Sequence, residues 1–244
     1  MKRLILLVAT LLAAQATTPE VEITAEPHHH LVFENKSVRV FNVEVDPNTE
    51  TLMHWHRHDY ISVSLGSTEI ANNVKDKPPL TVKLPDGDVR FVSATFAHFV
   101  RDLGPQPFRN VTIEILEDES LRNSTAKWDE DRGLTALPNG TQQILFVKDG
   151  IRVSEFELQS GGVVPMRHHA GPQLLVAIND IDLRRDPAGQ GINVEGSHGH
   201  DKPLPAPAPD HLKSGESKWL PANDAHSIKN TGSKLAKFVT LEFP

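Results

Sequence analysis

The chain has 244 residues, with 32 acidic and 25 basic side chains, a formal net charge of −7 and no cysteine. The missing cysteine excludes disulfides, thiolate metal ligands and a cysteine nucleophile. The acidic balance argues against nucleic acid as a partner, because proteins that bind it carry basic patches. After the N-terminus, no apolar stretch approaches the roughly 20 residues of a membrane-spanning helix, so we expect no membrane span.

The N-terminus has the pattern of a secretory signal peptide. Lys2 and Arg3 precede an apolar run from Leu4 to Ala14, which has the length of a signal-peptide core and is too short to span a bilayer. The run ends in a small-x-small cleavage signal at 14–16. We therefore expect residues 1–16 to be removed and the mature protein to be exported, either to a periplasm or to the exterior.

Beyond this segment the sequence repeats itself. Leu31 to Val40 resembles Ile144 to Val153 at an offset of 113 residues, and Gly87 to Glu114 resembles Gly215 to Glu242 at an offset of 128. Two long blocks at constant offsets indicate that one fold is present twice. The larger second offset indicates an insertion in the second copy, at about 180–212. Its proline-rich run is expected to form an extended surface loop.

Each copy has the pattern of short β-strands. Val38–Val45 and Ile151–Leu158 alternate with period two, and no segment shows a long helical period. Short strands at this spacing predict a sandwich or a barrel. We therefore predict an all-β protein of two tandem β-barrels, at residues 17–117 and 141–244, joined by a charged linker at 118–140.

The segment most informative about chemistry is Met53–Tyr60, which contains His54, His56 and His58. Side chains two residues apart on a strand share a face, so His54 and His56 can both reach one metal ion. Imidazole nitrogens must lie at about 2.0–2.1 Å from an ion such as zinc. His98, in the second block, is the natural third ligand. We predict a divalent metal site formed by His54, His56 and His98.

These motifs resemble those of the cupin superfamily. Its first motif runs from a Gly or Pro turn through His-x-His to a strand that ends in Gly, and its second runs from a Gly turn to a further His. The matching residues are Pro47, His54, His56, Tyr60, Gly66, Gly87, His98 and Asp102 in the first copy, and Gly215, Pro221, His226 and Asn230 in the second. The resemblance covers nearly all of the mature chain and is to bicupins, similar to secreted bacterial cupin-domain proteins. It implies two jelly-roll barrels, with the metal held inside.

In the family's first motif a Glu ligand follows the His-x-His pair. The first copy departs from this pattern, because Tyr60 occupies the position of that Glu, or Asp59 does if the register slips by one. The resemblance therefore implies a three-histidine centre, as in some cupin dioxygenases, with open positions for substrate and oxygen. Tyr60 is then a candidate proton donor or hydrogen-bond partner. His58, which shares the parity of His54 and His56, is a candidate general base or alternate ligand.

A run of three histidines, His28–His30, precedes the first repeated strand. We interpret it as a polar lead-in to that strand. The alternatives are a cap over the mouth of the first barrel and a surface metal site.

The second copy has lost part of the ligand set. Arg167 occupies the position of His54, and Gln173 that of Tyr60, whereas His169 and His226 are retained. A guanidinium among the ligands repels a cation, so we expect no metal there. Arg167, His169, Gln173 and His226 would form the pocket of the second barrel. We interpret this barrel as degenerate and retained for packing. The alternative is that Arg167 binds an anionic ligand such as a carboxylate.

The leading functional hypothesis is a metal-dependent enzyme that acts on a small molecule, by dioxygenase-like or isomerase-like chemistry. The histidines suit Fe, Mn, Zn, Ni or Cu and do not choose among them. The alternatives are a non-catalytic protein that binds a small ligand or a metal, and a structural module with filled barrels. A homo-oligomer is compatible with the sequence, which does not decide the oligomeric state.

Overall fold

The computed structural model describes residues 19–116, 133–188 and 207–244. The predicted signal peptide, most of the predicted linker and the middle of the predicted insertion lie outside the described residues. Within the described ranges, no helix combines the length and the apolar character that a membrane crossing would take.

The first half of the chain forms two five-stranded sheets. Its elements are β1 (Val21–Glu22), a 3-10 helix (Ile23–Ala25), β2 (His29–Glu34), β3 (Val38–Val45), β4 (His54–His56), β5 (Tyr60–Leu65), β6 (Thr68–Val74), β7 (Leu80–Leu84), β8 (Val89–Val92), β9 (Phe96–Asp102) and β10 (Phe108–Ile115). The strand orders are β1-β4-β9-β6-β7 and β2-β3-β10-β5-β8. Strands distant in sequence therefore lie side by side, as in a jelly roll.

The second half repeats this arrangement with a six-stranded and a four-stranded sheet. Its strands are β11 (Leu134–Leu137), β12 (Gly140–Lys148), β13 (Ile151–Leu158), β14 (Val163–His169), β15 (Gln173–Ala177), β16 (Ile181–Pro187), β17 (Asp210–Leu212), β18 (Ser217–Leu220), β19 (Asp224–Asn230) and β20 (Ala236–Glu242). The orders are β11-β12-β13-β20-β15-β18 and β14-β19-β16-β17. The predicted all-β fold of two jelly-roll barrels is confirmed.

Three strands lie within the predicted linker or the predicted insertion. β11 lies inside the predicted linker, because it pairs antiparallel with β12 and adds an edge to the second barrel. β16 and β17 lie at the two ends of the predicted insertion, where they pair with each other, and β16 also pairs with β19. The added chain is therefore anchored at both ends by backbone hydrogen bonds of the sheet.

Alternating side chains divide each barrel into an interior face and a face that meets the other barrel. On β3, Phe41, Val43 and Val45 belong to the interior core of the first barrel. Val38 and Val40 point the other way and join a core that includes Val153 and other buried residues of the second half. Burying one such side chain contributes roughly 1.5–3 kcal/mol, so this shared core holds the two barrels together.

Specific contacts add to this shared core. The rings of Phe33 and Trp219 stack with centroids 5.8 Å apart, and the guanidinium of Arg109 donates to the carbonyl oxygen of Ser214 at 3.2 Å. The two barrels thus meet through an apolar centre with polar contacts at its edge.

Candidate metal centre

The His-x-His segment is a strand whose two histidines point into the first barrel. His54 and His56 are 0% and 1% exposed, whereas the indole of Trp55 lies on the other face and donates to Glu20 at 2.9 Å. β4 pairs antiparallel with β9, and His54 lies directly opposite His98. The structure therefore brings together His54, His56 and His98, the three ligands predicted from the sequence.

The three rings lie at the spacing of ligands that share an ion. Their centroids are 5.1 Å apart for His54 and His56, 4.6 Å for His54 and His98, and 5.0 Å for His56 and His98. The Nε2 atoms of His56 and His98 are 3.1 Å apart. Two nitrogens bound at about 2.1 Å and at right angles would be separated by about 3.0 Å.

A fourth imidazole joins this group from the histidine run at the start of β2. The ring centroid of His29 lies 4.6 Å from that of His54 and 6.3 Å from that of His56. One ring nitrogen of each of these three residues lies within 4.8 Å of the others. The interpretation of His28–His30 as only a polar lead-in therefore missed an inward-facing member.

No pattern in the sequence singled out His29, but the internal repeat gives it a counterpart in the second barrel. At the offset of 113 residues His29 corresponds to Gln142, and His54 corresponds to Arg167. In the second barrel the Arg167 guanidinium donates to Gln142 Oε1 at 2.6 Å. The two positions are thus in contact in both copies, although the residue types differ.

Hydrogen bonds on the far side of three rings set which nitrogen faces inward. Nδ1 of His29 lies 2.7 Å from a carboxylate oxygen of Glu26, and Nδ1 of His54 lies 2.8 Å from the carbonyl oxygen of Leu52. Nδ1 of His98 lies 2.7 Å from Asn72 Oδ1. These oxygens can only accept, so each Nδ1 carries the proton and each Nε2 keeps a lone pair.

Burial keeps all four rings neutral. It lowers the pKa of His54 to about 4 and also lowers the pKa values of His29, His56 and His98, because a buried imidazolium loses its hydration. A neutral imidazole is the form that binds a metal. His54 Nε2 is buried and has no hydrogen-bond partner among the described residues. Together these features fit a divalent transition metal.

Tyr60 and His58 differ in their relation to these rings. The phenol ring of Tyr60 is buried and stacks on His56, with centroids 4.2 Å apart. Burial raises the pKa of Tyr60, so its hydroxyl stays protonated and is a weak acid. His58 follows the end of β4, in the turn before β5, where strand alternation no longer holds. The structure therefore places Tyr60 beside the four histidines and does not bring His58 to them.

A cavity of about 530 Å³ adjoins the four histidines inside the first barrel. Apolar side chains from both sheets form most of its wall, with Ser62, Asn110 and Thr112 among the uncharged polar groups. Its charged side chains are Lys77 and Arg90, and neither aspartate nor glutamate lines it within the described residues. The volume suits a small molecule.

No protein-family model matches this chain, and no curated protein matches it. Several solved structures match it in fold. The crystal structure of AerE from Microcystis aeruginosa matches with a TM-score of 0.58 and 14% identity, over 88% of this chain and 92% of that one. The structure of oxalate decarboxylase from Bacillus subtilis at pH 4.6 matches with a TM-score of 0.55 and 10% identity, over 85% of this chain and 68% of that one. The chain has the cupin fold.

Among the described residues, the space beside the corresponding side chains of the second cupin barrel is far smaller than the cavity of the first. This space measures about 10 Å³ and is lined by Arg167, His169, Gln173 and His226 among others, which leaves room for about one water molecule. The rings of His169 and His226 stack with centroids 5.1 Å apart. A ligand the size of a carboxylate does not fit this space, so the contacts favour the interpretation as a barrel kept for packing.

An ionic network occupies the interior of the second barrel. Glu242 is 4% exposed, pairs with Arg152, and lies with one oxygen 3.2 Å from Nδ1 of His169. Arg39 and Glu114, at the corresponding positions of the first barrel, form a similar buried pair at 3.1 Å. The two cupin barrels thus share an Arg–Glu pair. In the part of the chain that the structure describes, the carboxylate contacts a histidine of the His-x-His position in the second barrel and not in the first.

Proposed function

We propose that this protein binds one divalent transition metal ion in the first barrel and acts on a small molecule that enters the adjoining cavity. The ligands are His54, His56 and His98, with His29 as a fourth imidazole. The observation that carries the proposal is that ring nitrogens of His29, His54 and His56 lie within 4.8 Å of one another, with Nε2 of His98 at 3.1 Å from Nε2 of His56. A buried polar atom without a partner costs about 1–3 kcal/mol, and a bound cation would remove that cost.

The chain's own residues would perform separable tasks at such a centre. The bound ion would supply Lewis acidity or a redox change. The Nδ1–H bonds of His29, His54 and His98 would hold three ligand rings in orientation. Tyr60 would present a neutral hydroxyl beside His56, and the largely apolar wall of the cavity would exclude water from the bound molecule.

The structural neighbours support a metal-dependent activity. One neighbour is described through the Mn(II) centres of Bacillus subtilis oxalate decarboxylase. Fe, Zn, Ni and Cu remain candidates beside Mn, because imidazole ligands suit several of these ions. If the bound ion keeps open coordination positions, a small-molecule substrate can bind there and undergo a dioxygenase-like or isomerase-like reaction.

His29 favours a second candidate function, a non-catalytic metal-binding protein. Four imidazoles complete the shell of a tetrahedral ion such as zinc, which then has no open position. In an octahedral ion the same four ligands leave two positions for a substrate. The coordination number of the bound metal therefore separates the two functions.

The first experiment is metal analysis of the mature protein, purified without a histidine tag. We expect about one equivalent of a first-row metal per chain, in line with a single four-histidine site. His98→Ala is expected to lose it, whereas His30→Ala, which changes an exposed neighbour of His29, should keep it. A protein that takes up no metal after anaerobic loading with Fe(II), Mn(II) or Zn(II) contradicts both functions.

A further inference from the structure

Glu26 is a buried carboxylate next to the four histidines. It is 2% exposed and lies between the 3-10 helix and β2. One carboxylate oxygen accepts from the backbone N–H of His28 at 2.8 Å and from Nδ1–H of His29 at 2.7 Å. The other accepts from the backbone N–H of Leu52 at 3.0 Å. Both oxygens are therefore used, by three donors from two segments of the chain.

The contact with Leu52 extends this carboxylate to a second ring. The carbonyl oxygen of Leu52 accepts Nδ1–H of His54 at 2.8 Å. Glu26 holds Leu52 by its N–H, and Leu52 holds His54 by its C=O. One side chain is thus connected to two of the four imidazoles, directly to His29 and through Leu52 to His54.

Contacts other than those of Glu26 also anchor the N-terminal segment. Val21 donates its N–H to the carbonyl oxygen of Met53 at 2.9 Å, and β1 pairs with β4. Ile23 is buried in the core of the first barrel. Glu22 forms an ion pair with Arg57 at 2.8 Å. Since these contacts anchor the segment, a buried carboxylate at 26 calls for a role beyond docking it.

We propose that Glu26 is a positioning residue of the metal centre, which sets the tautomer and orientation of His29 directly and of His54 through Leu52. Both rings then present Nε2 to the same ion. The inference rests on the proposed metal site and adds a residue that touches neither metal nor substrate. Such outer hydrogen-bond partners orient the ligands and raise their basicity.

Glu26→Gln is the decisive variant, because it keeps the shape and removes one acceptor. An amide can accept on one side only, so its NH2 group must face either the donors of His28 and His29 or the N–H of Leu52. Either His29 therefore loses its orienting bond, or Leu52, whose carbonyl orients His54, loses the acceptor of its N–H. Glu20→Gln is the matched control, since Glu20 lies on the same segment and contacts Trp55 and Lys75 instead.

Two readouts test the proposal on the full mature chain. Long-range ¹H–¹⁵N spectra of the metal-free protein report each histidine tautomer. We expect a proton on Nδ1 of His29 and His54 in the wild type and a changed signal for at least one of them in Glu26→Gln. Titration with Co(II) should show binding weakened about 10- to 100-fold, with an altered visible spectrum, and no comparable change in Glu20→Gln.

The tautomer spectra and the Co(II) titration together distinguish failure of the role of Glu26 from failure of the proposed metal site. A Glu26→Gln variant with wild-type tautomers and wild-type Co(II) affinity overturns the role of Glu26 and leaves the metal site standing. A wild type with the expected tautomers that binds no Co(II) overturns the metal site. If Glu26→Gln does not fold, His29→Ala takes its place. There Glu26 still holds Leu52, so a changed His54 tautomer overturns the proposal.

Discussion

The Nε2 atoms of His56 and His98 face each other at 3.1 Å inside the first barrel. The Nδ1–H of His98 is committed to Asn72, so His98 can only accept at Nε2. His56 would have to donate from Nε2, which leaves its buried Nδ1 without a partner among the described residues. A metal ion held by both rings would accept a lone pair from each Nε2, and His56 would then carry its proton on Nδ1.

Asn72 is expected to control metal affinity through His98. Asn72→Leu removes the acceptor that orients the ring, so we expect metal binding to weaken about 10- to 100-fold while the fold is retained. Isothermal titration with Zn(II) measures this. Asn73→Leu is the control, because the neighbouring amide donates to the backbone of Ala71 instead. Equal affinities for the two variants would contradict the assigned role of Asn72 in orienting His98.

The metal-free protein should lose stability as the pH falls from about 6.5 to 4. Burial holds the pKa of His54 at about 4, below its ordinary value of 6.5. Between these values the unfolded chain binds a proton that the folded chain does not, so stability falls by about 1.4 kcal/mol per pH unit for this histidine. The effect is absent above pH 6.5. The other three rings act in the same direction.

Urea unfolding of the metal-free protein at a series of pH values measures this dependence. His54→Gln should give a flatter profile than the wild type, and His30→Gln should match the wild type because that residue is exposed. Parallel profiles for the wild type and His54→Gln would show that His54 does not titrate with a depressed pKa.

Tyr60→Phe should separate binding from conversion. It keeps the ring stacked on His56, so metal content is expected to stay at the wild-type level. If the hydroxyl serves the bound molecule, turnover falls while metal content holds. Tyr60→Ala is expected to destabilise the protein by about 3–5 kcal/mol, because it opens a cavity in the barrel. Loss of metal from Tyr60→Phe would instead make the phenol oxygen a ligand.

Glu242→Gln should change stability and leave metal content unaltered. It breaks the buried pair with Arg152 in the second barrel, for which we expect a loss of about 3–5 kcal/mol. Glu157→Gln is the control, since this carboxylate is half-exposed and its contact with Lys237 should contribute less than about 1 kcal/mol. Chemical denaturation measures the stability of each variant, and metal analysis of the same samples measures its metal content. Reduced metal content in Glu242→Gln would argue for coupling between the barrels.

Export predicts a shortened chain. Expressed with its own N-terminus in a bacterial host, the protein should be recovered outside the cytoplasm with a mass that begins at Thr17. Replacing Lys2 and Arg3 by glutamate should retain the full-length form inside the cell. A full-length mass in the exported fraction would contradict cleavage after Ala16.

Much of the fold and part of the centre follow from local sequence. Period-two alternation places His54 and His56 on one face and Trp55 on the other, because successive side chains on a strand point in opposite directions. The repeat indicates two barrels before any contact is known. Asp149 and Gly150, both at positive φ, form the two-residue turn between β12 and β13 that an Asp-Gly pair favours.

The tertiary structure alone decided that Glu26 and His29 reach those histidines. Glu26 and His29 come from a segment with no periodic relation to β4, and they arrive because the N-terminal chain pairs with β4 and then crosses to the opposite sheet. His58 is excluded because a turn ends the alternation that predicted it. Alternation is a property of neighbouring residues, whereas a centre built across sheets depends on burial and register between segments far apart in the chain.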